Sequence, residues 1–194
     1  MSKIIFDLDD TLYVSDELRS NREKVILDFL GDKVGEYFEL KKENSTMKSL
    51  EILGISNLEF FELMGNVTIN LNQDLKLISL LEKLKDDYKL VVLSNSSKFC
   101  IKETLVQLGI FNLIDSYYSA QDFGKIKPCE ECFFMVDKGD ICVGNNFKKD
   151  LEIPKQKGAI TIFVGGFHKD ADKSIKNIYE LKNILKGGYD KNEY

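Results

Sequence analysis

At 194 residues the chain is long enough for one well-buried core and a small accessory domain. Its composition, 43% hydrophobic, 30% charged and 11% aromatic, excludes the disordered and collagen-like classes, and a formal net charge of -5 argues against nucleic acid as a partner, because phosphate backbones are bound by clustered Lys and Arg. No apolar run approaches about 18 residues and there is no charged-then-apolar leader, so neither a membrane span nor a secretory signal is expected, and the cytoplasm is the expected compartment.

Ile4, Ile5, Phe6 and Leu8 form a short apolar run that reads as a strand buried in a sheet, delivering Asp7 and Asp9 at its carboxyl end. Two carboxylates so close repel by about 4 kcal/mol at roughly 4 Å and an effective dielectric of about 20, so the pair wants a cation or a shared proton. Read alone, Asp9-Asp10-Thr11 is also an ordinary helix cap. The pattern then turns helical. Ser15 is a plausible N-cap for a helix carrying Leu18, Val25, Ile26, Phe29 and Leu30, which Gly31 ends. Val34 to Leu40 and Thr46 to Leu53 are further helices, and Ser56-Asn57-Leu58-Glu59 is a capping box opening a Phe-rich one. Strand signals are scarce here, so residues 14–72 read as a helical domain inserted after the first strand. Residues 1–13 and 73–194 form the core.

From Asp74 helices and strands alternate. Leu75, Ile78, Leu81 and Leu84 mark a helix stripe, Leu90 to Leu93 a strand, Lys98 to Leu108 a helix stopped by Gly109, and Asp115 to Ala120 a short strand. Glu130 to Val136 reads as a short helix, Ile141 to Val143 and Ile160 to Val164 as strands, Lys173 to Leu185 as a closing amphipathic helix, and Gly187 to Tyr194 as a loose tail. The alternation predicts an α/β fold: a Rossmann-like, doubly wound parallel sheet with helices on both faces, plus the small inserted all-α domain. The four cysteines are expected to be free thiols in an intracellular chain. Cys129 and Cys132 make a C-x-x-C, but Cys100, Cys142 and the lone His168 fall in separate predicted elements, so the second half of a zinc site is missing.

The strand ends carry the chemistry. The first delivers Asp7 and Asp9, the second Ser94 and Asn95, and the fourth Gly144-Asn145 with Asp150 five positions on, while Lys125-Ile126-Lys127-Pro128 follows the third. In an open parallel sheet these share one rim. Such a collection suits a phosphoryl group: a hydroxyl and backbone amides hold its oxygens, a lysine neutralises it, carboxylates hold a magnesium ion, and one carboxylate can act as nucleophile.

With these residues in place, the chain resembles the haloacid dehalogenase superfamily, specifically its phosphatases with a helical cap inserted after the first motif. Asp7, Asp9 and Thr11 match the Asp-x-Asp-x-Thr signature, Ser94 the second motif, Lys127 the third, and Val143-Gly144-Asn145 through Asp150 the fourth. The resemblance implies that Asp7 attacks phosphorus, that Asp9 protonates the leaving oxygen and then activates water, and that Thr11, Ser94, Asn95 and Lys127 bind the phosphoryl group. Asp150 would hold Mg2+ with the Asp7 carboxylate, the Asp9 backbone carbonyl and Asn145. It further implies a small soluble phosphomonoester as substrate, no nucleic-acid or membrane partner, and a monomer or homodimer. A sugar phosphomutase and a non-catalytic phospholigand-binding or regulatory protein are the alternatives. Asp9 disfavours a carbon-halogen substrate, because the superfamily's dehalogenases carry another residue there.

Two departures from the pattern stand out. Asn145 replaces the usual acid after the fourth-motif glycine, which removes a negative charge and predicts weaker magnesium binding. Only sixteen residues separate Lys127 from Gly144, which shortens the intervening helix. Leu12, Tyr13 and Thr46 to Lys48 are candidate specificity positions.

Overall fold

In the computed structural model, which describes residues 1–65 and 67–186, the first apolar run becomes β1 (Lys3–Phe6). It is followed by β2 (Lys89–Ser94), β3 (Ser116–Ser119), β4 (Ile141–Gly144), β5 (Ile160–Val164) and β6 (Lys173–Ile175). All pairings are parallel and the order is β3-β2-β1-β4-β5-β6. β1 is central because it is apolar on both faces: Ile5 lies between Val91 and Cys142, Phe6 between Val92 and Val143, and Ile4, Phe6 and Leu8 are fully buried. The chain winds one way from β1 through β2 to β3 and the other way from β4 to β6. The crevice for a ligand therefore opens beyond the carboxyl ends of β1 and β4.

Helices flank the sheet. In α5 (Leu75–Lys85) the Asp74 carboxylate caps the start by accepting from the Lys76 and Leu77 N–H groups, and Leu77, Leu80, Leu81 and Leu84 are buried. Full burial of such a side chain contributes about 1.5–3 kcal/mol. The buried face is rotated from the expected stripe, for Leu75 is 73% exposed at the helix start. Next, α6 (Lys98–Gln107) is capped by Ser97 and ends before Gly109, whose φ of 78° suits a residue without a Cβ. Short helices α7 (Glu152–Gln156) and α8 (Leu181–Lys186) complete this unit, which comprises Met1–Val14 and the chain from Asn72.

Ser15–Leu71 forms a second compact unit. Its elements are α1 (Asp16–Leu30), α2 (Val34–Lys41), α3 (Thr46–Ile52) and α4 (Asn57–Gly65). Ser15 caps α1 by accepting from the Leu18 N–H, and Gly31 ends it at φ 52°. Glu59 accepts from the Ser56 N–H while the Ser56 hydroxyl accepts from the Glu59 N–H, the reciprocal pair expected of a capping box. Phe61 and Met64 of α4 are buried. No helix among the described residues is long and apolar enough to cross a membrane.

Three expectations need correction. Lys173 to Leu185 is not one helix: Lys173–Ile175 is β6, paired with β5 in the register Ile162–Lys173, and Asn177 caps a 3-10 turn before α8. The edge of β5 offers unpaired backbone groups, and satisfying them outweighs the helical spacing of the side chains. Glu130 to Val136 contains only a 3-10 turn, Glu131–Phe133. Cys129 and Cys132 are not free thiols but a disulfide, with Cα atoms 5.4 Å apart inside the bridging range; Cys100 and Cys142 are free and buried. The expected tail 187–194 lies outside the described residues.

Candidate active site

β1 ends at Phe6, and the Asp7 N–H continues its ladder by donating to the Val143 carbonyl at 2.9 Å, which fixes the Asp7 side chain at the rim. The chain then turns sharply. Asp10 is the one described non-glycine residue with a left-handed backbone, φ 59°, a conformation that short polar Asp tolerates better than most. The Leu12 N–H closes on the Leu8 carbonyl, and the Thr11 hydroxyl returns to donate to Asp7 Oδ2 at 2.9 Å. Thr11 is buried and does not line the cavity in front of Asp7; its visible work is to orient Asp7.

Lys127 reaches the same spot from the loop after β3. Its backbone N–H donates to Asn95 Oδ1 at 2.7 Å. Its ammonium donates to Asp7 Oδ1 at 2.7 Å, to Asp150 Oδ1 at 2.7 Å and to the Leu93 carbonyl at 3.0 Å. All three ammonium hydrogens thus have acceptors, as a cation only 3% exposed requires. Burial by itself would lower the Lys127 pKa, but the Asp150 and Asp7 carboxylates outweigh it and hold the ammonium above its ordinary value. Burial, followed by the Asp150 charge, pushes the Asp7 carboxyl up to about 7 against the pull of Lys127. Asp150 comes from a π-helical turn, Phe147–Leu151, and its Oδ2 accepts from the Asn146 N–H at 3.0 Å.

Asp9 faces a different set of groups. Tyr13 donates its hydroxyl to Asp9 Oδ1, while Ser96 and Ser94 donate to Oδ2 at 2.8 and 3.3 Å. Ser94 also accepts from the Ser96 N–H at 3.0 Å, and Ser119 holds the Ser96 carbonyl at 2.7 Å. Asp7, Asp9, Ser94, Asn95, Lys127, Asn145 and Asp150 line one cavity of about 330 Å3, joined by Asp10, Asn146 and Lys149. Seven of the eight positions singled out from the sequence therefore meet at one cavity, and Thr11 stands behind it. Among the candidate specificity positions, Leu12 is fully buried and Tyr13 is committed to Asp9. In the second unit, the Thr46 hydroxyl accepts from Lys41.

The ring of hydroxyls around Asp9 was missed in the sequence. Ser96 belongs to a run of three serines around Asn95, and nothing in the spacing marks it apart from the cap residue Ser97; Asp10, Asn146 and Lys149 carried no signal beyond their neighbours.

Among the described residues no three His, Cys, Asp or Glu side chains already converge as a metal cage. The reason is visible in the bonds: Lys127 stands between Asp7 and Asp150, and the hydroxyls draw Asp9 away. The donors at the cavity are nonetheless all oxygen on the acidic side, and its lining holds four carboxylates, Asp7, Asp9, Asp10 and Asp150, against two lysines, Lys127 and Lys149. That excess of negative charge, with Asp7 destabilised as an anion, fits a hard divalent cation.

A family model described as haloacid dehalogenase-like hydrolase matches residues 4–138, well over half of the chain. The chain belongs to this family. A relative, the glyceraldehyde 3-phosphate phosphatase of Methanocaldococcus jannaschii, is 26% identical, with 94% of this chain and 96% of that protein covered. Among solved structures, the HAD phosphatase from Thermococcus onnurineus is 24% identical at a TM-score of 0.63, covering 96% of this chain and 99% of the other. YfnB from Bacillus subtilis, determined bound to magnesium, is 15% identical at a TM-score of 0.65, covering 95% and 98%. These two likenesses concern the fold. The protein is thus a hydrolase of the haloacid dehalogenase-like family built on a parallel α/β sheet.

Proposed function

We propose that the protein is a magnesium-dependent phosphatase of a small soluble phosphomonoester, working through an aspartyl-phosphate on Asp7. The observation that carries this reading is the Lys127 ammonium held 2.7 Å from both Asp7 and Asp150 at the floor of a polar cavity that Asp9 also lines. Asp7 attacks phosphorus, and the bond to the leaving oxygen breaks as Asp9 supplies a proton to it. Asp9, now ionised, takes a proton from water, whose oxygen attacks the phosphoaspartate and frees inorganic phosphate and Asp7. Ser94, Asn95 and Lys127 flank the phosphoryl position, with Thr11 and Asn95 holding Asp7 and the lysine loop in register. Asp7, Asp150, Asn145 and the Asp9 backbone carbonyl would hold Mg2+. When bound, the ion screens the charge of the phosphoryl oxygens facing Asp7.

The relative acting on glyceraldehyde 3-phosphate makes three-carbon phosphate esters the first substrates to try. In this reading residues 14–72 are a cap that excludes bulk water and selects the leaving group, and residues 1–13 with 73–194 are the catalytic core. Asn145, in place of an acid, supports a second reading in which the fold binds a phosphorylated ligand without turnover.

One experiment separates them. Hydrolysis of an aryl phosphate and of glyceraldehyde 3-phosphate is measured with magnesium for the natural chain and Asp7→Asn. The phosphatase reading expects inorganic phosphate from the first and none from the second. Equal turnover by both would sink the mechanism, and binding without turnover by the natural chain would establish the second reading.

A further inference from the structure

We propose that Cys129 and Cys132 form a reversible exchange site for a dithiol reductant, and that its redox state sets the hold of Lys127 on Asp7 and Asp150. The pair is bridged, and its two sulfurs sit in unlike surroundings: Cys129 is half-buried, whereas Cys132 is 0% exposed in a cluster with Val91, Leu93 and Phe133. An incoming thiolate therefore reaches Cys129. It bonds to Cys129 Sγ and breaks the bond to Cys132, whose sulfur leaves with the electron pair and takes a proton. The second thiol of the reductant, as thiolate, attacks the reductant sulfur of the mixed disulfide and releases Cys129, which is protonated from water. In sum, two electrons and two protons pass from the dithiol to the cysteine pair, and the reductant becomes a disulfide. The exchange runs in both directions, and the Cys132 N–H donates to the Cys129 carbonyl at 3.2 Å, a turn of the backbone that holds the two residues near each other independently of the S–S bond.

The coupling follows from position. Cys129 is two residues beyond Lys127, and Lys127 is anchored on one side by its N–H on Asn95 Oδ1. On the other side the disulfide ties the loop to the buried cluster that contains Leu93, whose carbonyl also receives the Lys127 ammonium. Opening the bridge removes that covalent tie from a loop carrying a buried cation whose partners sit at 2.7 Å.

The test equilibrates the folded protein in buffers of increasing reduced-to-oxidised dithiothreitol ratio, quenches in acid, unfolds, alkylates and maps the labelled cysteines by mass. Cys129 and Cys132 are expected to pass together from unlabelled to labelled as a two-electron couple, while Cys100 and Cys142 are labelled throughout. In the same samples, and resting on the phosphatase reading, hydrolysis of an aryl phosphate is expected to fall severalfold on reduction, toward the roughly 100-fold that a displacement of about 1 Å costs at a reacting centre. Cys129→Ser, altering the half-buried partner, should work at the reduced rate and ignore the reductant. A pair unlabelled at every ratio, or labelled at every ratio, overturns the exchange site; equal rates in the two states overturn the coupling. If neither state hydrolyses the ester, the phosphatase reading fails separately: labelling still decides the exchange, and amide hydrogen exchange across residues 125–129 decides the coupling, unchanged protection overturning it.

Discussion

Gly144 and Asp150 share one space. A Cβ built on Gly144 would overlap the Asp150 Cβ and stand 2.9 Å from its Oδ2, so the carboxylate can lie against the end of β4 only because residue 144 has no side chain. The backbone there is ordinary strand, so the requirement is room and not an unusual φ. Gly144→Ala should push Asp150 off Lys127 and cost about 1–3 kcal/mol of stability through overpacking. Magnesium-supported hydrolysis should fall alongside it. Urea unfolding and a magnesium titration of turnover check this, and a variant unchanged in both would mean that Asp150 has another resting place.

Lys127→Met tests the buried cation. The substitution keeps most of the stem's volume but leaves the Asp7 and Asp150 carboxylates facing each other without the ammonium that now bridges them. Breaking a buried pair by removing one partner typically costs about 3–5 kcal/mol. The expected outcome is a large drop in the denaturation midpoint together with loss of turnover. A stability change below about 1 kcal/mol would show that water already screens the two acids.

Ser96→Ala and Tyr13→Phe each remove a hydroxyl that donates to Asp9. Hydrogen bonds to an ionised carboxylate contribute about 1.5–3 kcal/mol, and because both bonds are already made in the resting protein only part of this reaches the barrier, so a loss of rate of up to about 10- to 100-fold is expected. These are positioning residues, acting through Asp9, so kcat should fall while KM stays close to its original value. A rise in KM with kcat intact would assign them to substrate binding instead.

Asp172, which does not line the cavity, supplies a pH-dependent contribution to stability. Thr161 donates its N–H and hydroxyl to Asp172 Oδ2 at 2.8 and 2.7 Å, and Lys155 donates to Oδ1 at 2.7 Å. Burial alone would raise this carboxyl, but the bonds from Lys155 and Thr161 outweigh it and hold the pKa below the ordinary 3.8. A depressed carboxylate stabilises the fold fully above its unfolded value, and the contribution disappears as pH falls through the lower folded value. Asp172→Asn should therefore be less stable than the natural chain at neutral pH, with the gap closing in acid. Parallel denaturation curves at neutral pH and at about pH 2 measure it, and a gap independent of pH would refute the assignment.

The parts of the fold legible in the sequence were those where local chemistry and global packing agree. Ser15, Ser56 with Glu59, and Gly109 mark helix ends by backbone hydrogen bonds that need nothing from the rest of the chain, and Ile4 to Phe6 can satisfy its apolar faces only in the middle of a sheet. β6 was illegible because its reason lies elsewhere, in the open edge of β5, while Lys173 to Ile175 has no strand signal of its own. The same holds at the cavity. Asp7, Asp9, Asn145 and Asp150 stand at or just beyond strand ends, where topology alone predicts a rim, but the commitment of Ser96 and Tyr13 to Asp9 depends on how the loops after β1 and β2 fold against each other. The disulfide is illegible for a different reason: C-x-x-C spacing suits two free thiols and a bridge alike, and the redox surroundings that decide between them leave no mark on the spacing.

The central position of β1 has a consequence for how the chain matures on the ribosome. Its neighbours β2 and β4 are encoded more than eighty and more than a hundred and thirty residues downstream of Lys3. The segment 15–71 has its own internal packing and can collapse as soon as it emerges. β1, by contrast, has one edge unpaired until Lys89 to Ser94 have been delivered and the other until Ile141 to Gly144 have followed, so the slow, long-range closure of the sheet trails the packing of the second unit and is the stage at which a nascent chain is most exposed to aggregation and to chaperones.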